Sequence, residues 1–331
     1  MILFVTGQYA AAQYIHPLLK KWEYGDKQCP TYKLVATGNS IKYWKENEVR
    51  YDSVSNKNSL IIKKYLSDIN PKLIVLSASG DEELEYLFIL EAKKLGIKTA
   101  NFIDTWTNYK NRYIYNGKDI YPDVVLSINK QCTKEMIKDG IPLDIIQEIG
   151  QPYLEEICKK IPPLGKNILL PLQPIALTRG NSLGYNEKDF LHLTLTTLKK
   201  IRKVSEIHIT AHSNNNLDAL NKDNIKVEEG QGIMDIKNAH TILGMFSMQM
   251  IVGYLWGRKV ASVQPKLKGE DPSPLSRWNL VPRIVTRQEL IHFMNLKIVK
   301  DTSPQRDLLI RQLHGSVDRL DNFCTQKSIS I

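Results

Sequence analysis

The 331-residue chain carries 45 Lys and Arg against 35 Asp and Glu, a formal net charge of +10, with 42% hydrophobic and 24% charged residues. Such a composition belongs to a folded globular protein and excludes a disordered or membrane-spanning chain, and the length exceeds one ordinary core and suits two domains. The basic surplus fits nucleic acid, an anionic membrane surface, an anionic substrate such as a nucleotide, or a plain solvated face; with no long Lys/Arg block and no basic-aromatic motif, nucleic acid is not an expected partner.

The first residues, "MILFVTGQYA", lack the basic flank and small-residue cleavage site of a signal peptide and read as a buried strand. No apolar run approaches bilayer length, since even "MIVGYLWGRKVASV" is cut by Gly253, Gly257, Arg258 and Lys259. The expected location is the cytoplasm, with peripheral contact at the inner face of the membrane left open. Cys29, Cys132, Cys158 and Cys324 are scattered without paired spacing, as expected of reduced structural thiols.

Short runs rich in Val, Ile and Leu then alternate with amphipathic segments. "ILFV" leads into "AAAQYIHPLLKKW", "KLIVLSA" into "DEELEYLFILEAKKLG", "IKTANFI" into a polar aromatic loop and "DVVLSI" into "KQCTKEMIKDG". This is the pattern of parallel strands with crossover helices, and it predicts a first α/β domain over residues 1–150. The stretch "GQPYLEEICKKIPPLGKN" joins a Gly, paired Pro and a charged helix, a linker over 151–166. Alternation restarts with "NILLPL", "EKDFLHLTLTTLKKIRK", "SEIHITAH", "IKVEEG", "AHTILG" and "RKVASVQP", a second α/β domain over 167–305, and residues 306–331 hold a final amphipathic helix. The expected fold class is α/β, two Rossmann-like domains facing a cleft, with ligands at the C-terminal ends of the strands.

Candidate site residues fall on those strand ends. Asp81 and Glu82 begin a helix after "KLIVLSASG"; a carboxylate there can act as a general base or simply complement the helix dipole. In "DTWTNYKNRY", Asp104 is a second candidate base, Trp106 and Tyr109 offer flat faces to a sugar ring, and Arg112 offers a forked contact to a carboxylate or phosphate. Trp106 and Tyr109 could equally pack one face of a short helix. The loop "LPLQPIALTRGNSLGY" presents Gln173, Thr178, Arg179 and Asn181, and His212 stands just past the strand in "HITAHSNNN". In "LGMFSMQM", Gly244 allows a tight turn and Ser247 can cap a helix, leaving free amides that with the dipole make an anion site; the alternative is a plain turn whose Met residues fill the core.

The succession of Gly244 and Ser247, an apolar helix ending at Gly257, a basic residue and a short strand ending in Gln264 and Pro265 resembles the donor-phosphate segment of two-domain nucleotide-sugar enzymes. These are the GT-B glycosyltransferases and the related UDP-N-acetylglucosamine 2-epimerases. The resemblance implies that Gly244, Ser247 and the Met248 amide hold the phosphates of a sugar nucleotide. The epimerases carry a more polar, Gly-rich loop with an acidic residue where this chain has Phe246, Met248 and Gln249. The segment "LIVLSASGDEELEYLFILEAKKLGIKTANFIDTWTNYKNRY" is similar to the group's strand, Gly-Asp loop and returning helix. An Arg-containing loop in the epimerases lies where Arg179 falls, and bacterial sialic-acid transferases of this fold place a His-Pro pair near His212, which Ser213 follows here.

No Asp-x-Asp pair occurs, so no metal and no cofactor is expected, and leaving-group charge falls to amides, Arg, Lys or His. Neither a Walker A loop nor a dinucleotide Gly fingerprint is present. The expected function is a glycosyltransferase moving a sugar from a nucleotide-sugar donor to a glycan, a lipid-linked acceptor or another hydroxyl, in surface polysaccharide or glycoconjugate synthesis. The alternatives are a nucleotide-sugar 2-epimerase or hydrolase, and a non-catalytic nucleotide-sugar or glycan-binding protein.

Overall fold

The computed structural model describes residues 1–331 apart from 26–28, 55–57, 78–82, 202–203, 213–214, 216–225, 298–302 and 330–331. The chain divides into two compact units: Met1–Ile157 together with Arg311–Ile331, and Cys158–Ile310.

The first unit is built on strands β1 (Ile2–Thr6), β2 (Tyr32–Ala36), β3 (Asp52–Ser53), β4 (Leu73–Ser77) and β5 (Lys98–Phe102). A small antiparallel hairpin of β6 (Ile114–Tyr115) and β7 (Lys118–Asp119) follows, then β8 (Val124–Ser127) and β9 (Ile146–Glu148). The parallel sheet runs β3-β2-β1-β4-β5-β8-β9. Strands β1 and β4 are buried at every position, as an unbroken apolar run in a doubly covered parallel sheet requires. Strand order reverses direction at β1, so the crevice between the carboxyl ends of β1 and β4 is the switch point at which such sheets bind ligands. One face is covered by the helix Tyr9–Tyr24, whose Tyr14 ring stacks on Phe102 at 4.1 Å between centroids. The C-terminal helix Ser316–Ile329 completes that face, burying Leu320, Phe323 and Cys324. It is pinned by the Trp22 indole N–H donating to Asp321 at 2.8 Å, and by Lys21 reaching Asp318 at 2.7 Å and Asp321 at 2.6 Å.

The second unit repeats the plan with β10 (Asn167–Pro171), β11 (Ile207–Ala211), β12 (Glu228–Glu229), β13 (Ala239–Gly244), β14 (Lys259–Val263) and β15 (Arg283–Ile284). They pair in parallel in the order β12-β11-β10-β13-β14-β15. Its switch point lies between β10 and β13. The helix Met248–Leu255 lies so close on β13 that a Cβ on Gly253 would stand 2.3 Å from Ile242 Cδ1. Among the described residues, no helix is long and apolar enough to cross a membrane.

Candidate functional site

In the second unit, Gly244 is the last residue of β13 and pairs with Ser262 of β14. The chain turns after it rather than at it, which corrects the sequence expectation. Gly244 is required by close approach: a Cβ there would meet Met250 Sδ at 2.7 Å, Met250 Cγ at 2.9 Å and Pro171 Cγ at 3.2 Å. Met245 then plugs the core, its carbonyl accepting the Ser262 hydroxyl at 2.5 Å. The Phe246 N–H donates to the side-chain oxygen of Gln173 at 3.0 Å, tying the loop after β13 to the loop after β10 across the switch point.

Ser247 has extended backbone angles, φ −66° and ψ 148°, and its hydroxyl accepts the Gln249 N–H at 3.2 Å, the N-cap the sequence predicts. Among the described residues the Met248 N–H has no acceptor, and the Gln249 side-chain oxygen is buried without a hydrogen-bond partner. An unfilled donor and an unfilled acceptor thus flank the start of a helix whose dipole is positive there.

Two further candidate phosphate-binding groups stand on the neighbouring strand ends. Arg179 follows β10 and the short helix Ile175–Thr178; it is exposed, and among the described residues its guanidinium has no partner. His212 follows β11, with its backbone N–H donating to Asn215 at 2.9 Å. Burial lowers the pKa of its imidazole below the ordinary value, so it offers a neutral ring at pH 7. Adjacent strands β11, β10 and β13 therefore present His212, Arg179 and the Ser247 helix end along one edge.

The first unit is arranged differently. Asp104 follows β5 and keeps a partly exposed carboxylate, with Oδ1 held by Arg112 Nη1 at 2.9 Å. Among the described residues, Oδ2 has no partner. Gln151, past the end of β9, donates to the Asp104 carbonyl at 3.1 Å and fixes its backbone. Arg112 is buried, and its Nε and Nη2 are spent on the carbonyls of Asn108 at 3.0 Å and Thr107 at 3.3 Å. Burial opposes its charge, but Asp104 together with Tyr113 and Tyr109 outweighs that and holds the guanidinium pKa above the ordinary value.

Trp106 is fully buried, its indole N–H donating to Asn129 at 3.2 Å, and Tyr109 is 5% exposed, its hydroxyl donating to Glu135 at 2.8 Å. Buried rings offer no face to a sugar, and a buried guanidinium with its fork engaged offers none to a phosphate. The three residues instead build the loop that holds Asp104; for Trp106 and Tyr109 this is packing of the kind their spacing also allows.

Asp81 and Glu82 lie outside the described residues. One turn further along, Glu85 is a buried carboxylate that accepts the Ser77 hydroxyl, and the same Ser77 oxygen receives the Gly7 N–H at 3.4 Å. Sequence reasoning passes over it; its mark is an acidic residue among Leu84, Phe88 and Ile89 on the buried side of the helix Glu83–Lys94. Residues 180–184, "GNSLG", spell the five-residue pattern of a nucleophile elbow. Ser182, however, follows a short helix rather than a strand and donates to the Arg179 carbonyl at 2.8 Å, so it is a turn residue. Among the described residues, no group of three or more His, Cys, Asp or Glu gathers in a metal-holding cluster.

No protein-family model and no curated protein sequence matches the chain. Solved structures match its fold over nearly its whole length. The UDP-GlcNAc 2-epimerase of Methanocaldococcus jannaschii has a TM-score of 0.67 at 15% identity, covering 98% of this chain and 99% of that one. The UDP-GlcNAc 2-epimerase of Neisseria meningitidis, solved bound to UDP-GlcNAc, gives 0.66 at 13%, with 98% and 99% covered. A glycosyltransferase from Rickettsia africae gives 0.61 at 12%, with 100% and 99% covered. The architecture is that of the GT-B fold, two Rossmann-like domains.

Proposed function

We propose that the protein is a nucleotide-sugar enzyme and that it transfers the sugar to an acceptor hydroxyl of a glycan or lipid-linked glycan, as in surface polysaccharide synthesis. The observation that carries the nucleotide half is the edge of the second unit, where the unfilled Met248 amide, the Ser247 cap, exposed Arg179 and neutral His212 follow adjacent strands. An open amide at a helix start and an exposed guanidinium after the neighbouring strand suit a diphosphate, in the ground state and as it leaves with added charge. The binding of UDP-GlcNAc by the Neisseria protein supports a uridine nucleotide as the first ligand to test.

The first unit supplies the base in this reading. Asp104 presents Oδ2 while Arg112 and Gln151 hold the rest of the residue still. As the acceptor oxygen bonds to the anomeric carbon, its proton passes to Oδ2 and the sugar-phosphate C–O bond breaks; a single displacement of this kind inverts the anomeric centre. Thermal shift with UDP tests the nucleotide half, since a ligand of the native state raises Tm; no shift with UDP, GDP, dTDP, CMP or CDP removes the reading. For the base, Asp104→Asn is expected to keep UDP affinity and lower turnover about a hundredfold or more.

A second reading is favoured by the likeness to two 2-epimerases. It needs no acceptor. UDP-GlcNAc incubated alone in deuterated water would then gain deuterium at C2, whereas a transferase releases UDP in proportion to added acceptor.

A further inference from the structure

With Trp106 and Tyr109 buried, the aromatic rings at the same edge of the sheet are exposed Tyr9 and part-buried Tyr43 and Tyr153. Tyr9 opens the helix that follows β1, Tyr43 lies in the helix Ser40–Glu46 that follows β2, and Tyr153 lies in the helix Pro152–Cys158 that follows β9. Each is within a few residues of a strand's carboxyl end, where ligands of such sheets bind. The Tyr9 and Tyr43 rings meet edge to face, with centroids 4.9 Å apart and planes at 86°. The Tyr14 hydroxyl donates to the Gly150 carbonyl at 3.1 Å, which ties the start of the helix Pro152–Cys158, and Tyr153 with it, to the helix Tyr9–Tyr24; burial, against a hydrogen bond with Gln13, pushes the Tyr153 hydroxyl up to about 12.

The surface is fixed from behind. Tyr43 shares a hydrogen bond of 2.7 Å with His16 Nδ1, and the His16 ring packs on Trp44 at 5.5 Å. Trp44 is fully buried and its indole N–H donates to Thr6 Oγ1 at 2.9 Å, so the stack is anchored in β1 itself. In front, Tyr9 is 37% exposed, and its hydroxyl donates to the carboxylate of exposed Glu46 at 3.2 Å. Rigid rings with a hydrogen-bonding rim lose little freedom when a ligand settles on them, the property that makes Tyr effective in binding surfaces. An apolar ring face suits the C–H face of a pyranose. A carboxylate beside it accepts sugar hydroxyls and repels anions.

We propose that Tyr9, Tyr43 and Tyr153, with Glu46, form a subsite for an uncharged sugar ring of the acceptor. The inference rests on the transferase reading and names the chemistry of its second substrate. Saturation-transfer NMR on the full chain, with maltose and N,N′-diacetylchitobiose as probes, tests it, and UDP affinity measured on the same samples separates the two claims. Saturation should reach the ring protons of at least one sugar. Tyr9→Ala should weaken that binding about fivefold or more, as for a lost aromatic contact, while Tyr9→Phe, which keeps the ring, stays within about twofold; UDP affinity should be unchanged in both. UDP binding without saturation of either sugar overturns the subsite and leaves the nucleotide reading standing. Sugar binding that Tyr9→Ala weakens, in a protein that takes no nucleotide, supports the subsite and overturns the nucleotide reading. Should Tyr9→Ala lower Tm or UDP affinity as well, Glu46→Gln decides: unchanged sugar binding there overturns the proposal, and weakened binding supports it.

Discussion

Two arginines follow strand ends in the two units, and they are put to opposite uses. Arg112 is 7% exposed and, among the described residues, pairs with Asp104 and donates to the Asn108 and Thr107 carbonyls of its own loop. Arg179 is exposed on a turn and makes no such contact among the described residues. Two of the seven histidines divide in a similar way: His16 is buried under Tyr43, and His212 stands past the end of β11. The ligand edge of the first unit is thus built of interlocked side chains that fix one carboxylate and one set of rings. The edge of the second is built of backbone, a turn held by Gln173 and Ser247 with the Met248 N–H left without an acceptor among the described residues. A base must be held in one orientation and rings must keep their faces, whereas a phosphate asks only for several donors, which amides supply.

The sharpest test of that contrast is Arg112→Ala. It strands the Asp104 carboxylate and two carbonyls, and removing one partner of a buried pair costs ~3–5 kcal/mol. Arg179→Ala, at an exposed site, should change stability by no more than about 0.5 kcal/mol while weakening UDP binding. Chemical denaturation of both variants measures the difference; equal stabilities would put Arg112 on the surface and break the comparison.

His16 gives the next largest effect. Burial, reinforced by nearby Lys20, lowers its pKa to about 4, against about 6.5 in the unfolded chain. Between those values the unfolded state takes a proton that the native state refuses. Stability is therefore full above pH ~6.5 and falls as the pH drops toward ~4, by up to ~3 kcal/mol from this one group. His16→Gln should flatten that part of the Tm-against-pH curve, and an unchanged slope would move the acid sensitivity to other groups.

The same contrast explains what could be read in advance. Strands β1, β4, β8 and β10 announce themselves as near-continuous apolar runs, as strands covered on both faces do, and β5, β11, β13 and β14 by shorter apolar stretches between turn and helix signals. Strands β3 and β15, of two residues each, partly exposed β9, and β2, whose apolar run is the three residues Leu34 to Ala36, carry too little apolar pattern to be picked out. The Ser247 cap was legible because a cap is decided within three residues. The burial of Trp106 was not: it depends on Asn129, which lies 23 positions away and arrives through the pairing of β8 with β5. For the same reason the sequence does not join Tyr9 to Tyr43, which are 34 positions apart and brought together by the adjacency of β1 and β2.

The smallest stability effect carries the most functional information. Ser247→Ala removes a cap worth ~1 kcal/mol, a loss the first turn can partly make good with water. If the helix end holds phosphate, the same change should weaken UDP binding about tenfold, out of proportion to the lost stability. Ser247→Asp separates the two roles. Asp caps as well as Ser, so stability should return to the wild-type value, but it sets a carboxylate against the diphosphate, and UDP affinity should fall further than in the Ala variant. Calorimetric titration with UDP beside a melting curve for each variant reads both quantities. Affinity that follows stability through the series would mean that "LGMFSMQM" serves only to pack Met245 and Met250 into the core, and that any nucleotide is held by other strand ends; affinity that departs from stability at Asp places the phosphate on the Met248 amide.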